Sequence, residues 1–250
     1  MPNISIVIPS YRSSEVLKKN LPSLKEFLRE RSLDAEVIIV DDGSNDNGAT
    51  KQVAEQFQCS YHTYPENRGK GAAVRYGMQH AAGRFRIFTD VDIPFEKEAF
   101  GRFIHYLDIK EFDVVMGDRT LPGSIYFTDV SGLRKMGSAI FSFIVGRFVA
   151  GGYFDTQCGM KGFRAEAADD LFSVSRIDGF AFDVELLYIS LKRNYDIKRL
   201  PVVLRCQESS SVRVIRHGLG MVFDLFRIKW NQVNGRYNKS RQNEYSLYNL

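Results

Sequence analysis

Over the first half of the chain, short β-branched runs alternate with longer stretches whose apolar positions recur every three or four residues. Residues 4–8, 36–40, 85–89 and 112–116 read as strands. Leu17, Leu21, Leu24 and Leu28 mark an amphipathic helix after the first strand, Val53, Ala54 and Phe57 a weaker one, and Ala73, Val74, Met78 and Ala81 a third. Pro22 has no amide hydrogen, which predicts a fresh turn after Asn20 rather than a proline inside the helix. The alternation implies an α/β fold, with a mainly parallel, twisted sheet and helices on both faces. In such sheets ligands bind beyond the carboxyl ends of the strands. Pro9-Ser10-Tyr11, Asp41-Asp42-Gly43-Ser44, Asp90-Val91-Asp92 and Gly117-Asp118-Arg119 follow the strand runs, so they are expected to share one rim.

Beyond Arg119 the pattern loosens. A helix is predicted over about 132–149, then a turn at Gly151-Gly152, a helix over 182–192, a strand over 197–204 and a final helix over 214–230. Residues 1–230 read as a single domain and 231–250 as a polar, loosely held tail.

Composition adds little to this picture until charge is mapped. The 250 residues are 44% hydrophobic and 26% charged, which suits one large core. Met1 runs into Ile4-Ser5-Ile6-Val7-Ile8 with no basic leader, which predicts a cytoplasmic location. Cys59, Cys158 and Cys206 are odd in number and widely spaced, as reduced core thiols are. The uncharged stretch 136–146 ends at Arg147, well short of the roughly 18 residues of a membrane span. The net charge of +4 conceals a concentration of Arg205, Arg213, Arg216, Arg227, Lys229, Arg236, Lys239 and Arg241 near the end. That concentration suits a nucleic acid, an anionic membrane surface or simply a solvated helix face.

Asp90 and Asp92 would close a strand, where residues two apart point the same way. Two carboxylates facing one side suit a hard divalent cation, Mg²⁺ or Mn²⁺, which keeps open positions for a diphosphate. Asp41-Asp42 precedes Gly43-Ser44 and reads either as cap and turn chemistry or as a hydrogen-bonding partner for a nucleotide. Lys70, between Gly69 and Gly71, either approaches phosphate or sits in a turn. Asp183 and Glu185 fit a helix start. His62, His80, His105 and His217 share no metal-ligand spacing. Leu219, Met221, Val222, Phe223, Phe226 and Trp230 are expected mostly in the core, with burial in lipid as the other reading.

Taken together, Pro9-Ser10-Tyr11, Val40–Ser44, Asn67-Arg68-Gly69-Lys70-Gly71-Ala72, Asp90-Val91-Asp92 and Asp155-Thr156-Gln157-Cys158-Gly159 stand in the order seen in glycosyltransferase family 2. With Phe180–Leu186, the last of these resembles the branch of dolichyl-phosphate β-glucosyltransferases and dolichyl-phosphate mannose synthases. The resemblance implies a GT-A (Rossmann-like) fold and an inverting transfer of a hexose, glucose before mannose, from UDP-glucose or GDP-mannose to a polyprenyl or dolichyl phosphate. It implies a peripheral enzyme at the cytoplasmic face of a membrane, without nucleic acid, and leaves a membrane-anchored partner protein open. By carry-over, Pro9, Tyr11, Asp41, Asp42, Lys70, Asp90, Val91 and Arg205 would serve the donor. Asp90 and Asp92 would hold the metal, and Arg119, Arg134 and Ser138 the lipid phosphate, with Asp92, Arg119 and Arg134 catalytic. Arg12-Ser13 stands where members often carry Asn-Glu, Pro94 where mannose synthases often carry Gln, and Ser209-Ser210-Ser211 where Gly-Ser-Lys is frequent. Arg205 or Arg213 would then replace the missing lysine. Transfer to a saccharide hydroxyl, a nucleotidyltransferase and a non-catalytic nucleotide-sugar module are the alternatives.

Overall fold

The structure, a computed structural model, describes residues 3–125, 145–146, 151–204 and 214–238, the side chains of residues 214–219 excepted. In chain order these are β1 (Ile4–Ser10), α1 (Ser14–Glu30), β2 (Ala35–Asp41), α2 (Ala49–Gln56), β3 (Ser60–Thr63), α3 (Lys70–His80), β4 (Phe85–Phe88) and α4 (Glu98–Asp108). Then come β5 (Val114–Asp118), β6 (Lys161–Arg164), α5 (Ala165–Val174), α6 (Phe182–Lys192), β7 (Ile197–Pro201) and α7 (Val214–Val233). The strands form one sheet in the order β3-β2-β1-β4-β6-β5-β7. Only β6 runs antiparallel to its neighbours.

The apolar runs are nearly unbroken because both faces of the sheet are covered. Ile4, Ile6 and Ile8 of β1 join Val37 and Ile39 in one core with Leu17, Leu21 and Leu24 of α1 and Phe100 and Phe103 of α4. Val7, Ile38 and Val40 point the other way, onto Val74 and Met78 of α3, Leu171 of α5 and Leu186 of α6.

Several expectations shift. Helix α1 continues through Pro22, which lies on its exposed side with Lys18. The Lys18 carbonyl that loses its partner there faces water, so the proline is tolerated. Strand β4 ends at Phe88 and β5 extends to Asp118. Neither β3 nor β6 follows from the apolar pattern: β3 has exposed polar ends at Ser60 and Thr63, and β6 opens on Lys161. The final helix runs to Val233, and Tyr237 is buried with its hydroxyl on Glu185 Oε1 at 2.6 Å, so the start of the expected tail is held. The helix predicted over 132–149 lies outside the described residues apart from Val145 and Gly146, as do Arg134, Ser138, Arg205, Cys206, Ser209–Ser211, Arg213 and residues 239–250.

The chain builds β1, β2 and β3 outward in one direction, then returns to place β4 on the other side of β1. A crevice opens at such a reversal, beyond the carboxyl ends of β1 and β4. Because β6 is antiparallel, its approach, Asp155–Met160, arrives at the same rim: Lys161 pairs with Phe88 on one side and Met116 on the other.

Candidate active site

The β2 side of the crevice is a cleft of about 640 Å³ lined by Asp41, Gly43–Gly48, Tyr61, Thr63, Tyr64 and Pro65. Asp41, buried at the strand end, accepts from Ser44 N at 3.0 Å, from the Ser44 hydroxyl and from Tyr61 Oη at 3.0 Å. Burial and this neighbouring carboxylate push the Tyr61 phenol up to about 12, so it stays a donor. Ser44 Oγ accepts in turn from Arg12 N at 2.8 Å, which stitches the loop after β1 to the loop after β2. Pro9 lies within β1, level with Val40, and Tyr11 follows the strand end, 41% exposed beneath the Arg12 guanidinium.

Asp42 is spent differently. Its carboxylate accepts from Tyr64 Oη at 2.6 Å, Asn67 Nδ2 at 2.8 Å, Arg68 N at 2.8 Å and Gly69 N at 2.9 Å. It therefore holds the segment that leads into α3. Gly43, at φ +67°, lets that segment cross closely, because a Cβ there would stand 2.6 Å from the Glu66 carbonyl carbon.

Past β4, Asp90 and Asp92 do not lie on an extended strand as expected. They sit in a turn closed by Ile93 N on Asp90 O at 3.0 Å, with Ile93 at φ +42°. The turn is pinned downstream by Glu96 N on Val203 O at 3.0 Å, and Val91 packs onto the core beneath. Lys70 reaches across from the first turn of α3 to form an ion pair with Asp90. Burial alone would lower the Lys70 ammonium, but Asp90, then Asp183 and Asp92, outweigh it and raise its pKa. The flanking glycines serve packing: a Cβ at Gly69 would stand 2.6 Å from Asp178 O and one at Gly71 2.5 Å from Ile177 O, and Gly71 N and Ala72 N donate to Asp178 O at 2.7 and 3.2 Å. Lys70 thus stands in the first turn of α3 with its ammonium on the acidic pair.

Below this pair lies a second, deeper one. Lys161 Nζ, at the head of β6, meets Asp183 Oδ1 at 2.5 Å and Cys158 O at 2.9 Å, with both side chains buried. Burial raises the Asp183 carboxyl, opposed by Lys161 and Lys70. Gly159 passes so close to Asp90 that a Cβ would stand 1.8 Å from Oδ2. Arg119 donates through N, Nε and Nη2 to Asp155, at 2.6, 3.0 and 2.7 Å. Burial would raise Asp155, but Arg119 holds it below the usual carboxylate range. Glu185, by contrast, accepts from Arg176 N, Ile177 N and Tyr237 Oη, and so fastens a loop and the segment after α7.

This rim geometry accompanies a match of residues 5–172 to the family model for "Glycosyl transferase family 2". The chain belongs to that family. Its curated relatives include the dolichyl-phosphate beta-glucosyltransferases of Dictyostelium discoideum (30% identity, 93% of this chain and 75% of that protein) and Homo sapiens (30%, 94% and 77%). That of Saccharomyces cerevisiae is 28% identical over 96% of this chain and 78% of its own length. Among solved structures, mannosyl-3-phosphoglycerate synthase from Rubrobacter xylanophilus superposes with a TM-score of 0.70 at 17% identity, over 98% of this chain and 78% of that one. Glucosyl-3-phosphoglycerate synthase from Mycobacterium tuberculosis, in complex with Mn²⁺, UDP and glucosyl-3-phosphoglycerate, superposes with 0.66 at 17% identity, over 91% and 80%. These two share the GT-A fold with this family 2 chain.

Sequence reading alone missed Lys161, Tyr61 and Tyr64. Lys161 had a signal, a lone cation in the run Cys158-Gly159-Met160-Lys161-Gly162-Phe163, where a buried strand needs a reason to hold a charge. The two tyrosines had none, because their partners lie about 20 residues away in sequence.

Proposed function

We propose that this family 2 chain transfers glucose from UDP-glucose to a polyprenyl phosphate of the dolichyl phosphate class, inverting the anomeric carbon, with Mg²⁺ or Mn²⁺ at Asp90 and Asp92. The observation that carries the reading is that the Asp41 cleft and the Lys70–Asp90 pair, with Asp92, share one rim beyond the carboxyl ends of β2, β1 and β4. The names of the curated relatives supply the substrate class.

The residues fit a hard cation. Asp90 and Asp92 offer carboxylate oxygens, and no cluster of three or more ligating side chains exists among the described residues, so diphosphate and water would complete the shell. When bound, the ion neutralises charge on the departing diphosphate. Asp41 and Tyr61 would bind the nucleoside, Pro9 and Tyr11 would border it, and Asp42 would keep the covering segment in place. Lys70 would hold positive charge beside the diphosphate. Arg119, Arg134, Ser138 and Arg205 would receive the phosphates. A phosphate monoester with a second pKa of about 6 is largely dianionic at neutral pH, so no side chain has to remove a proton from it.

The test is incubation with labelled UDP-glucose, GDP-mannose and UDP-N-acetylglucosamine, each with polyprenyl phosphate or free polyprenol, followed by extraction into organic solvent. Label from UDP-glucose is expected in the organic phase with the phosphate only. The acidic limb of kcat/KM should follow the acceptor's pKa and survive Asp183→Asn. Transfer to the free alcohol, or a limb that disappears with Asp183, would mean an enzyme base and a hydroxyl acceptor.

A further inference from the structure

Helix α7 is apolar on two opposite faces. Leu225 and Ile228 are buried in the core, and Met221 packs against it. Phe223, Phe226, Trp230 and Val233 form a stripe on the far side, 71%, 70%, 64% and 82% exposed. At roughly 100° per residue, spacings of three, four and three keep these side chains in one row. Soluble surfaces rarely leave so many large apolar groups contiguous without a use. Arg227 and Lys229, both exposed, border the row on its two sides, and exposed Lys192 adds charge beside Lys229. The one acid of the helix, Asp224, turns away: it accepts from Arg227 Nη1 at 3.0 Å and faces Gly179. Among the described residues, no helix is long and apolar enough to cross a membrane.

We propose that this face of α7 lies in the interfacial layer of a lipid bilayer with anionic headgroups. The Phe223, Phe226, Trp230 and Val233 side chains enter the acyl boundary while Arg227 and Lys229 reach the phosphates. Charge complementarity selects lipid over a second copy of the chain. Two such helices packed along this row would bring their basic borders together with no acid to pair across. Position agrees: Met221 Sδ lies 4.0 Å from Gln157 Nε2, and Asp224 stands by Gly179, so the inner face of the same helix rests on the segments that underlie Asp90 and Lys70. The proposal deepens the lipid-phosphate reading above and rests on it for its purpose, since docking there brings the site to where such an acceptor resides.

Trp230 is the one tryptophan of the chain, so its fluorescence reports this face alone. The full chain is mixed with phosphatidylcholine vesicles with and without phosphatidylserine, lacking any polyprenyl phosphate. A blue shift, quenching by brominated acyl chains and co-flotation with the anionic vesicles are expected. Phe223→Ser and Phe226→Ser should each weaken partition roughly tenfold, and Arg227→Glu with Lys229→Glu should remove the preference for anionic lipid, about fivefold per residue. Turnover of a water-soluble short-chain prenyl phosphate by the phenylalanine variants should stay at the unmutated level, which also shows that they fold. Emission that stays solvent-like with vesicles overturns the proposal. So does emission already blue-shifted without lipid in a protein that sediments as a dimer. Docking without short-chain turnover would leave this proposal standing and overturn the acceptor reading instead.

Discussion

Asp41 and Asp42 at the end of β2 are each 3% exposed, and Asp42 alone accepts four hydrogen bonds from Tyr64, Asn67, Arg68 and Gly69. Asp90 and Asp92, in the turn after β4, are partly open, and Asp90 meets the Lys70 ammonium and the bare backbone of Gly159. Two acidic pairs at one rim thus receive opposite treatment. A buried carboxylate is tolerated only when donors replace its water, and donors drawn from the chain itself turn it into a clamp. A half-open carboxylate that meets a cation at the rim remains accessible to solvent and so to a further charge. The difference separates an acid that shapes a cleft from one left open at the rim.

The comparison is broken most severely at the open pair. Asp92→Asn, or chelation of divalent metal, should lower kcat roughly a thousandfold, reversibly for the chelator, with unfolding unchanged. Full turnover in chelator would remove the metal from Asp90 and Asp92. Gly159→Ala should displace the Asp90 carboxylate and cost up to about a hundredfold in kcat, again with the fold intact.

At the closed pair the loss should appear first in stability. Asp42→Asn presents an amide to donors that need an acceptor and should cost about 2–3 kcal/mol in urea unfolding. Asp41→Ala should instead weaken UDP binding about tenfold by calorimetry. A stable Asp42→Asn protein with weak UDP binding would reverse the two roles.

The smallest effect belongs to Asp46 at the lip of the same cleft, whose carboxylate accepts from Thr50 N at 3.0 Å and Thr50 Oγ1 at 2.6 Å. Burial, the largest single influence, raises it, but the two Thr50 bonds together with the backbone amides of Asp46 and Gly48 outweigh it and hold its pKa below the ordinary 3.8. A carboxyl depressed by folding contributes stability above its unfolded pKa and loses it as pH falls through the folded one. Asp46→Ala should therefore cost about 1 kcal/mol near neutrality, and the difference from the unmutated protein should fade below pH 3.8. A difference that persists at lower pH would mean that the side chain acts by packing.

Local pattern carried much of the fold. Strands β1, β2 and β4 are apolar runs, and three of the first helices follow their stripes, because burial on two faces demands those residues wherever the chain goes. Pro22 misled because its consequence depends on which side of α1 faces water. Helix α7 misled in the other direction: its Phe and Trp positions suggested core, and only the packed body shows which face was left outside.

By itself the sequence determined the alternation of strands β1, β2, β4 and β5 with helices α1 to α3, the helices α6 and α7, the polar segments that end the strands, and the acidic pairs as candidates for chemistry. Tertiary structure alone decided that β6 runs backwards and carries Lys161 and Gly159 to the rim, that Asp42 is a clamp, and that Lys70 faces Asp90. The physical reason is range. Periodicity and turn chemistry act over a few residues, whereas an ion pair such as Lys161–Asp183, or Lys70–Asp90, joins side chains about 20 residues apart and exists only once the sheet has set its register.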